Sequence, residues 1–342
     1  MPHEGVPQER LWLAWPSKGY TLGDTAADAE TARRTWAAVA NAAARFEPVT
    51  VVVDPLDVGI ARHYLSKHVD LRVRELDDAW MRDIGPTFVH GDDGALGAVT
   101  WTFNGWGQQQ WATWEHDATV GPTVAEWAGA TRVDSTMVNE GGGIHVDGLG
   151  TVLVTDTVQL DPLRNPGWSR AGVEAELART IGARTVVWLP RGLTRDSDAL
   201  GTRGHVDIVA TITEPGRVLL HDQRDDAHPD KAVTEQIRAV LSDVRDARGE
   251  PFEIVDLPAP RVLRDAGGFV DYSYVNHVLV NGAVIACSFD DPHDVDAVAI
   301  LRDVYPGREV VTVDARPLFD RGGGIHCITQ QQPAITQQPA RP

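Results

Sequence analysis

Between Thr25 and Phe46, Trp36, Val39, Ala40, Ala43 and Phe46 recur at helical spacing, and Asp24 or Thr25 can cap the start. The β-branched run Val49–Val53 follows at once and reads as a buried strand. The same succession returns four times. A short helix over Ala118–Gly129 leads to a strand at Thr131–Val133, and Arg170–Ile181 leads to Arg184–Leu189. Asp230–Val244, with Val233, Ile237, Val240 and Leu241 on one face, leads to Phe252–Val255. Asp294–Val304 leads to Glu309–Val313.

Helix–strand alternation predicts an α/β fold. A doubly wound sheet is the usual form, but the chain has neither G-x-G-x-x-G nor a Walker pattern. Five units at intervals of roughly 60 residues point instead to one domain built radially from repeats. We expect a single catalytic domain over residues 1–330 and a polar tail over 331–342, since the only low-complexity stretch is Gln330–Pro342.

Composition narrows the partners. Of 342 residues, 42% are apolar and 23% charged, enough for a sizeable core. A net charge of −18 argues against nucleic acid or an anionic membrane and favours small cationic or neutral ligands. No apolar run is long enough to span a bilayer, and Met1–Pro16 lacks a secretory pattern, so a cytoplasmic address is expected. Two cysteines, Cys287 and Cys327, exclude a disulfide framework. The excess of arginine over lysine reads as genome composition. Trp101, Trp106, Trp111 and Trp114 crowd one segment, as core or as an aromatic wall for a flat cation.

The candidate chemistry sits in glycine-rich turns after the strands. These are Trp80-Met-Arg-Asp83-Ile-Gly85-Pro86, Asn139-Glu140-Gly-Gly-Gly143-Ile-His145-Val-Asp147, Arg203-Gly204-His205-Val-Asp207, Arg264-Asp265-Ala-Gly-Gly268 and Arg321-Gly-Gly-Gly324-Ile-His326-Cys327. Cys287, inside the apolar run Ala283–Phe289, reads as a small buried side chain. Cys327 follows three glycines and a histidine and precedes a polar stretch, and reads equally as buried thiol or nucleophile. His-x-Asp occurs twice, at His145/Asp147 and His205/Asp207, and either pair can face one ligand from a strand. Asp83 and Glu140 read as loop caps, ion-pair partners or catalytic acids. Ser169 in Gly167-Trp-Ser169-Arg-Ala171 reads as a helix cap rather than a nucleophile elbow. His145, His205 and His326 have acids nearby, yet no spacing specifies a metal, and none is expected.

Taken together, these loops resemble the agmatine deiminase family of the guanidino-modifying pentein enzymes, and bacterial peptidyl-arginine deiminases share much of the pattern. The resemblance covers Leu11–Pro16, Trp80–Phe88, Phe103–Gly107, Asn139–Leu163 with Arg164-Asn-Pro166, Gly204–Asp207 and Gly322–Pro333 in order. It implies a five-bladed α/β propeller. It implies that Asp83 and Asp207 grip a guanidinium, with Trp80 beside the substrate, and that Cys327 attacks the carbon to give a thiouronium intermediate. His205 would be general acid and then base, Glu140 its orienting partner, and His145 and Asp147 structural. The implied reaction needs no cofactor and converts agmatine to N-carbamoylputrescine and ammonia.

The sequence departs from the family pattern at several points. Arg203 and Ile208 flank the Gly-His-x-Asp turn, where the pattern has asparagines, and Gly324 stands at another asparagine position. Phe103–Gln110 drifts from Asn-Ala-Trp-Gly-Gly, and Asp265–Asn276 matches poorly. The alternatives are a deiminase of peptidyl-arginine or of another guanidino compound, a non-catalytic polyamine or guanidine binder, and a metal hydrolase. Homo-oligomerisation stays open.

Overall fold

In the computed structural model, which describes residues 1–197 and 201–335, each of the five helices joins two parallel strands of one sheet. Ala26–Ala43 connects Gln8–Ala14 to Val49–Val53, and Val120–Trp127 connects Leu96–Thr102 to Thr131–Val138. Arg170–Ile181 connects Thr151–Thr155 to Thr185–Leu189, Asp230–Asp243 connects Arg217–Asp222 to Glu253–Pro258, and Asp294–Val304 connects Ala283–Ser288 to Glu309–Asp314. The helix starts follow local capping. Thr25 and Asp28 form a capping box, and Ser169 accepts from the Gly172 N–H.

Each first strand also carries an antiparallel partner on its other edge, which the periodicity did not reveal. These partners are Thr87–His90, His145–Val146, Ala210–Glu214 and Val278–Val280 in units two to five. In unit one the partner is the C-terminal strand Thr329–Pro333, laid along Gln8–Ala14, so the two ends of the described chain share a sheet. The tail expected from residue 331 therefore starts later. Gln331, Gln332 and Pro333 are buried sheet residues, and 336–342 lie outside the described residues. Val69–Val73 adds a mostly exposed edge strand to unit one.

Val49–Val53 and Thr151–Thr155 are buried throughout, as parallel strands covered on both faces should be. The main core runs through all five units, and a smaller cluster around Val99, Met137, Val154 and Leu177 fills the space between units two and three. No described helix is long and apolar enough to cross a membrane.

This pattern positions the chemistry. In every unit the loop entering the antiparallel strand carries buried polar side chains: Asp83 before Thr87, Glu140 before His145, His205 and Asp207 before Ala210, Asn276 before Val278, and Cys327 before Thr329.

Candidate active site

Asp83 sits in the four-residue helical turn Met81–Ile84, 5% exposed. Its Oδ1 accepts from the Gly142 N–H at 3.2 Å and its Oδ2 from Trp106 Nε1 at 2.9 Å. The Trp106 contact depends on unusual backbone: Gly105, Trp106, Gly107 and Gln108 all have positive φ, at 70°, 55°, 78° and 58°. Two non-glycine residues in that region are strained, and the surrounding packing must hold them there. The drift over Phe103–Gln110 therefore encodes a left-handed turn that aims an indole N–H at Asp83.

The Gly141–Gly143 turn lets side chains close on backbone. A Cβ on Gly142 would lie 2.5 Å from His205 Nδ1, so only glycine allows that approach. Glu140 is fully buried; Arg164 Nε lies 3.0 Å from both its oxygens, and His205 Nε2 lies 3.1 Å from Oε2. Burial would raise Glu140, but Arg164 and His205 hold it below the usual carboxylate range. The Arg164 guanidinium also reaches Asp161 and the Thr202 carbonyl.

His205 is itself fully buried. Burial alone would lower its pKa, but Asp83, the bonded Glu140 and Asp207 outweigh it and raise it to about 9. The ring is therefore an imidazolium at neutral pH. Its Nδ1 has no hydrogen-bond partner among the described residues and stands 3.9 Å from Asp83 Oδ1. Asp207 Oδ1 is likewise buried and unpartnered, whereas Oδ2 lies 2.7 Å from His326 Nδ1. Burial pushes Asp207 up, and the bond to His326 and its charge bring it below the ordinary range. Asp83 goes the other way, up to about 6, through burial and the repulsion of Glu140 and Asp207. Two unpartnered polar atoms beside an acid of raised pKa in one buried place mark where a ligand completes the bonding.

Cys327 completes the arrangement, with its Sγ 3.7 Å from Asp207 Oδ2 and 3.2 Å from Asn276 Nδ2. In the unliganded site burial and the facing Asp207 and Asp83 carboxylates push the thiol well above its usual range. Cys287 is buried in its strand and raised to about 12, and its S–H donates to the Asn276 carbonyl at 3.0 Å.

A narrow pocket opens over the sulfur, lined by Trp80, Asp83, Trp106, Trp111, Thr202, Arg321 and Cys327, among others. Trp80 and two of the four crowded tryptophans are thus its walls, while Trp101 is core. The Arg321 guanidinium is spent on the carbonyls of Thr21, Pro317 and Asp28.

Other candidates fall elsewhere. Asp147 takes the N–H groups of Leu149 and Thr151 and the Thr151 hydroxyl, and His145 bonds Thr211 and Ile212, so both are structural. The fourth glycine turn does not reach the cavity. Arg264 and Asp265 form a small hairpin with Gly268 and Phe269, and Asp265 pairs with Arg195. The residue from that unit that does reach the sulfur is Asn276. Glu4, also unforeseen, bonds His326 Nε2 at 3.0 Å and pairs with Arg82. Glu4, His145 and His326 offer ligand atoms within 4.8 Å of one another, the only such group among the described residues. Those atoms are occupied: His326 Nε2 by Glu4 and His145 Nε2 by Thr211. His205 is not among them.

The sequence profile of the Porphyromonas-type peptidyl-arginine deiminases matches residues 1–333. The chain belongs to that family. A Streptomyces coelicolor relative, provisionally named an agmatine deiminase, is 54% identical over 334 residues, covering 97% of this chain and 98% of its own. The agmatine deiminase of Stutzerimonas stutzeri is 40% identical over 360 residues, covering 98% and 95%. The solved structure of Enterococcus faecalis agmatine deiminase superposes with a TM-score of 0.92 at 30% identity, over 98% of this chain and 96% of that one. The mixed α/β fold is thus the one found in agmatine deiminases.

Proposed function

We propose that the protein hydrolyses the guanidino group of agmatine to N-carbamoylputrescine and ammonia. The single observation behind this is the set of unmet groups around Cys327: an unpartnered carboxylate oxygen on Asp207, a charged His205 with a free Nδ1, and an Asp83 raised by burial and by neighbouring negative charge. A planar cation with N–H groups on two sides satisfies both acids at once. We further propose that the five sheets form the blades of an α/β propeller, a single catalytic domain with its polar tail after the last strand. Asp83, Glu140, His205, Asp207, Cys327 and Trp80 would make up its working site.

In this reading, guanidinium binding neutralises the charge that keeps Cys327 protonated, and the thiol proton leaves to solvent. The thiolate adds to the guanidinium carbon, His205 Nδ1 gives its proton to the departing nitrogen, and ammonia leaves a thiouronium on Cys327. His205, now neutral, takes a proton from water as the oxygen adds to the same carbon. Collapse expels the thiolate, which recovers a proton from solvent, and the ureido product gives its extra proton to ammonia. Glu140, fixed by Arg164, keeps the imidazole charged and aimed. Every proton is thus carried by Cys327, His205, substrate, water or ammonia, and the free protein is regenerated. The acidic chain suits a dication, and the cytoplasm remains the expected address.

A narrow pocket walled by Trp80, Trp106 and Trp111 favours a small guanidine over a peptide-borne one. Ammonia release from agmatine, arginine, a blocked arginyl peptide and guanidinobutyrate tests the substrate. Turnover of the peptide with agmatine inert would replace the agmatine reading by the peptidyl one. A non-catalytic binder would release ammonia from none.

A further inference from the structure

We infer that Asn276 is a catalytic residue: its side-chain amide is a fixed donor to the Cys327 sulfur and sets how readily the thiolate forms. The inference rests on Cys327 being the nucleophile, as in the deiminase reading, and assigns a role to the one unit whose loop had none.

Asn276 is fully buried, two residues before its strand, as Cys327 is before its own. Its Oδ1 accepts from the backbone N–H of His326 at 2.9 Å, which fixes which end of the amide is nitrogen. The two Nδ2 hydrogens then have two acceptors, the Asp207 carbonyl at 3.2 Å and Cys327 Sγ at 3.2 Å. The Asn276 carbonyl is tied in turn by the Cys287 S–H at 3.0 Å. The amide therefore cannot swing away from the sulfur without breaking bonds to two other catalytic-loop residues. Gly324 makes this approach possible, because a Cβ there would lie 2.4 Å from Asn276 Oδ1.

The chemical value follows from the company the sulfur keeps. Two carboxylates, Asp83 and Asp207, face it and oppose its negative charge. A neutral thiol accepts only weakly, whereas a thiolate accepts strongly, so an N–H held at the sulfur favours the ionised state over the neutral one. Because the amide is already oriented, no reorganisation is needed when the charge appears.

The test reads the thiol rather than turnover. Iodoacetamide alkylation of Cys327, located by peptide mass mapping so that Cys287 is counted apart, is followed against pH in the native protein, Asn276→Ala, Asn276→Asp and Gly324→Ala. We expect alkylation at pH 8 to slow by about tenfold or more in each folded variant, with kcat falling in parallel and KM little changed. Asn276→Asp keeps the acceptor for His326 and replaces the donors by a negative charge beside the sulfur, so it should show the largest effect, while Asn276→Ala reads loss of the amide without added charge. Unchanged Cys327 alkylation in a folded Asn276 variant overturns the inference, even if turnover falls. The native protein supplies an arm independent of folding. With asparagine labelled by 15N, the Asn276 side-chain amide signal should move as Cys327 ionises and stay still in Cys327→Ala. No movement across the thiol titration also overturns it. If agmatine proves inert while these thiol results hold, the substrate reading fails and the role of Asn276 stands.

Discussion

His205 commits Nε2 to Glu140 Oε2 at 3.1 Å and leaves Nδ1 free for the cavity. In the proposed reaction one nitrogen holds charge and the other moves a proton. That division, set against a neutral Cys327, gives the rate an unusual pH dependence. Three free-protein groups matter. Asp83 must be ionised and loses its charge as pH falls through about 6. The thiol must be deprotonated and lies well above the usual thiol range. His205 must be protonated and loses its charge as pH rises through about 9.

The logarithm of kcat/KM should therefore rise with a slope of about two below pH 6 and about one between pH 6 and 9. Above about 9 it should level, because each gain in thiolate is offset by loss of imidazolium. Glu140→Gln removes one of the charges raising His205 and should move that upper break downward, toward the ordinary imidazole range. A flat profile between pH 6 and 9 in the native protein would mean the thiolate is preformed, against the electrostatics described above.

The two acids proposed to grip the guanidinium should be sensitive to loss of charge alone. Asp83→Asn and Asp207→Asn should each fold and lose at least about a hundredfold in kcat/KM, since about 3 kcal/mol of charge-assisted contact disappears. The asparagine oxygen at position 83 can accept from only one of Trp106 and Gly142, so circular dichroism should stay native and stability should fall by about 1–3 kcal/mol for the donor left unpaired. Either variant with native kcat/KM would remove that aspartate from the substrate's binding set.

Much of this was legible because local rules and tertiary structure agree in the helices. Arg170–Ile181, capped by Ser169, and Asp294–Val304 begin and end where the sequence pattern places them. The antiparallel strands were not legible, since His145–Val146 is two residues long and Val278–Val280 three, too short to show a period. Asp83, Glu140, His205, Asp207 and Cys327 stood out because glycine turns flag them. Asn276 sits in Ser273-Tyr-Val-Asn276-His277 without a glycine, in a segment where family likeness fades. Glu4 could not be found locally at all. It meets His326 only because the first and last strands share a sheet, across 322 positions of sequence.

Arg164 carries a stability prediction rather than a kinetic one. Fully buried, it supplies the cation for Glu140, and its guanidinium fork also ties Asp161 and the Thr202 carbonyl. Arg164→Met leaves a buried carboxylate with only His205 to offset it. Breaking such a pair by removing one partner costs about 3–5 kcal/mol. Denaturant unfolding should show a loss of that size, and a variant as stable as the native protein would show that the Arg164–Glu140 pair contributes no net stability.

The two thiols give the most direct test of the covalent step. Cys287 is buried in its strand, bonded to the Asn276 carbonyl and raised to about 12, so it should resist alkylation near neutrality. Cys327 is also neutral in the free protein, held so by burial and by the charge of Asp207 and Asp83, and a cationic reagent removes the second of these as it binds. A haloacetamidine carries a guanidinium-like amidinium beside an alkylating carbon. It should pair with both acids, promote the thiolate and label Cys327 selectively, with inactivation saturating as its concentration rises. A neutral haloacetamide lacks that pairing and should react far more slowly, without saturation. Agmatine should protect against both, Cys327→Ala should be folded and inactive, and Cys287→Ala should remain active. Mass mapping of the inactivated protein locates the label. If label on Cys287 tracks the loss of activity, or Cys327→Ala still releases ammonia, the nucleophile lies elsewhere and the covalent route fails.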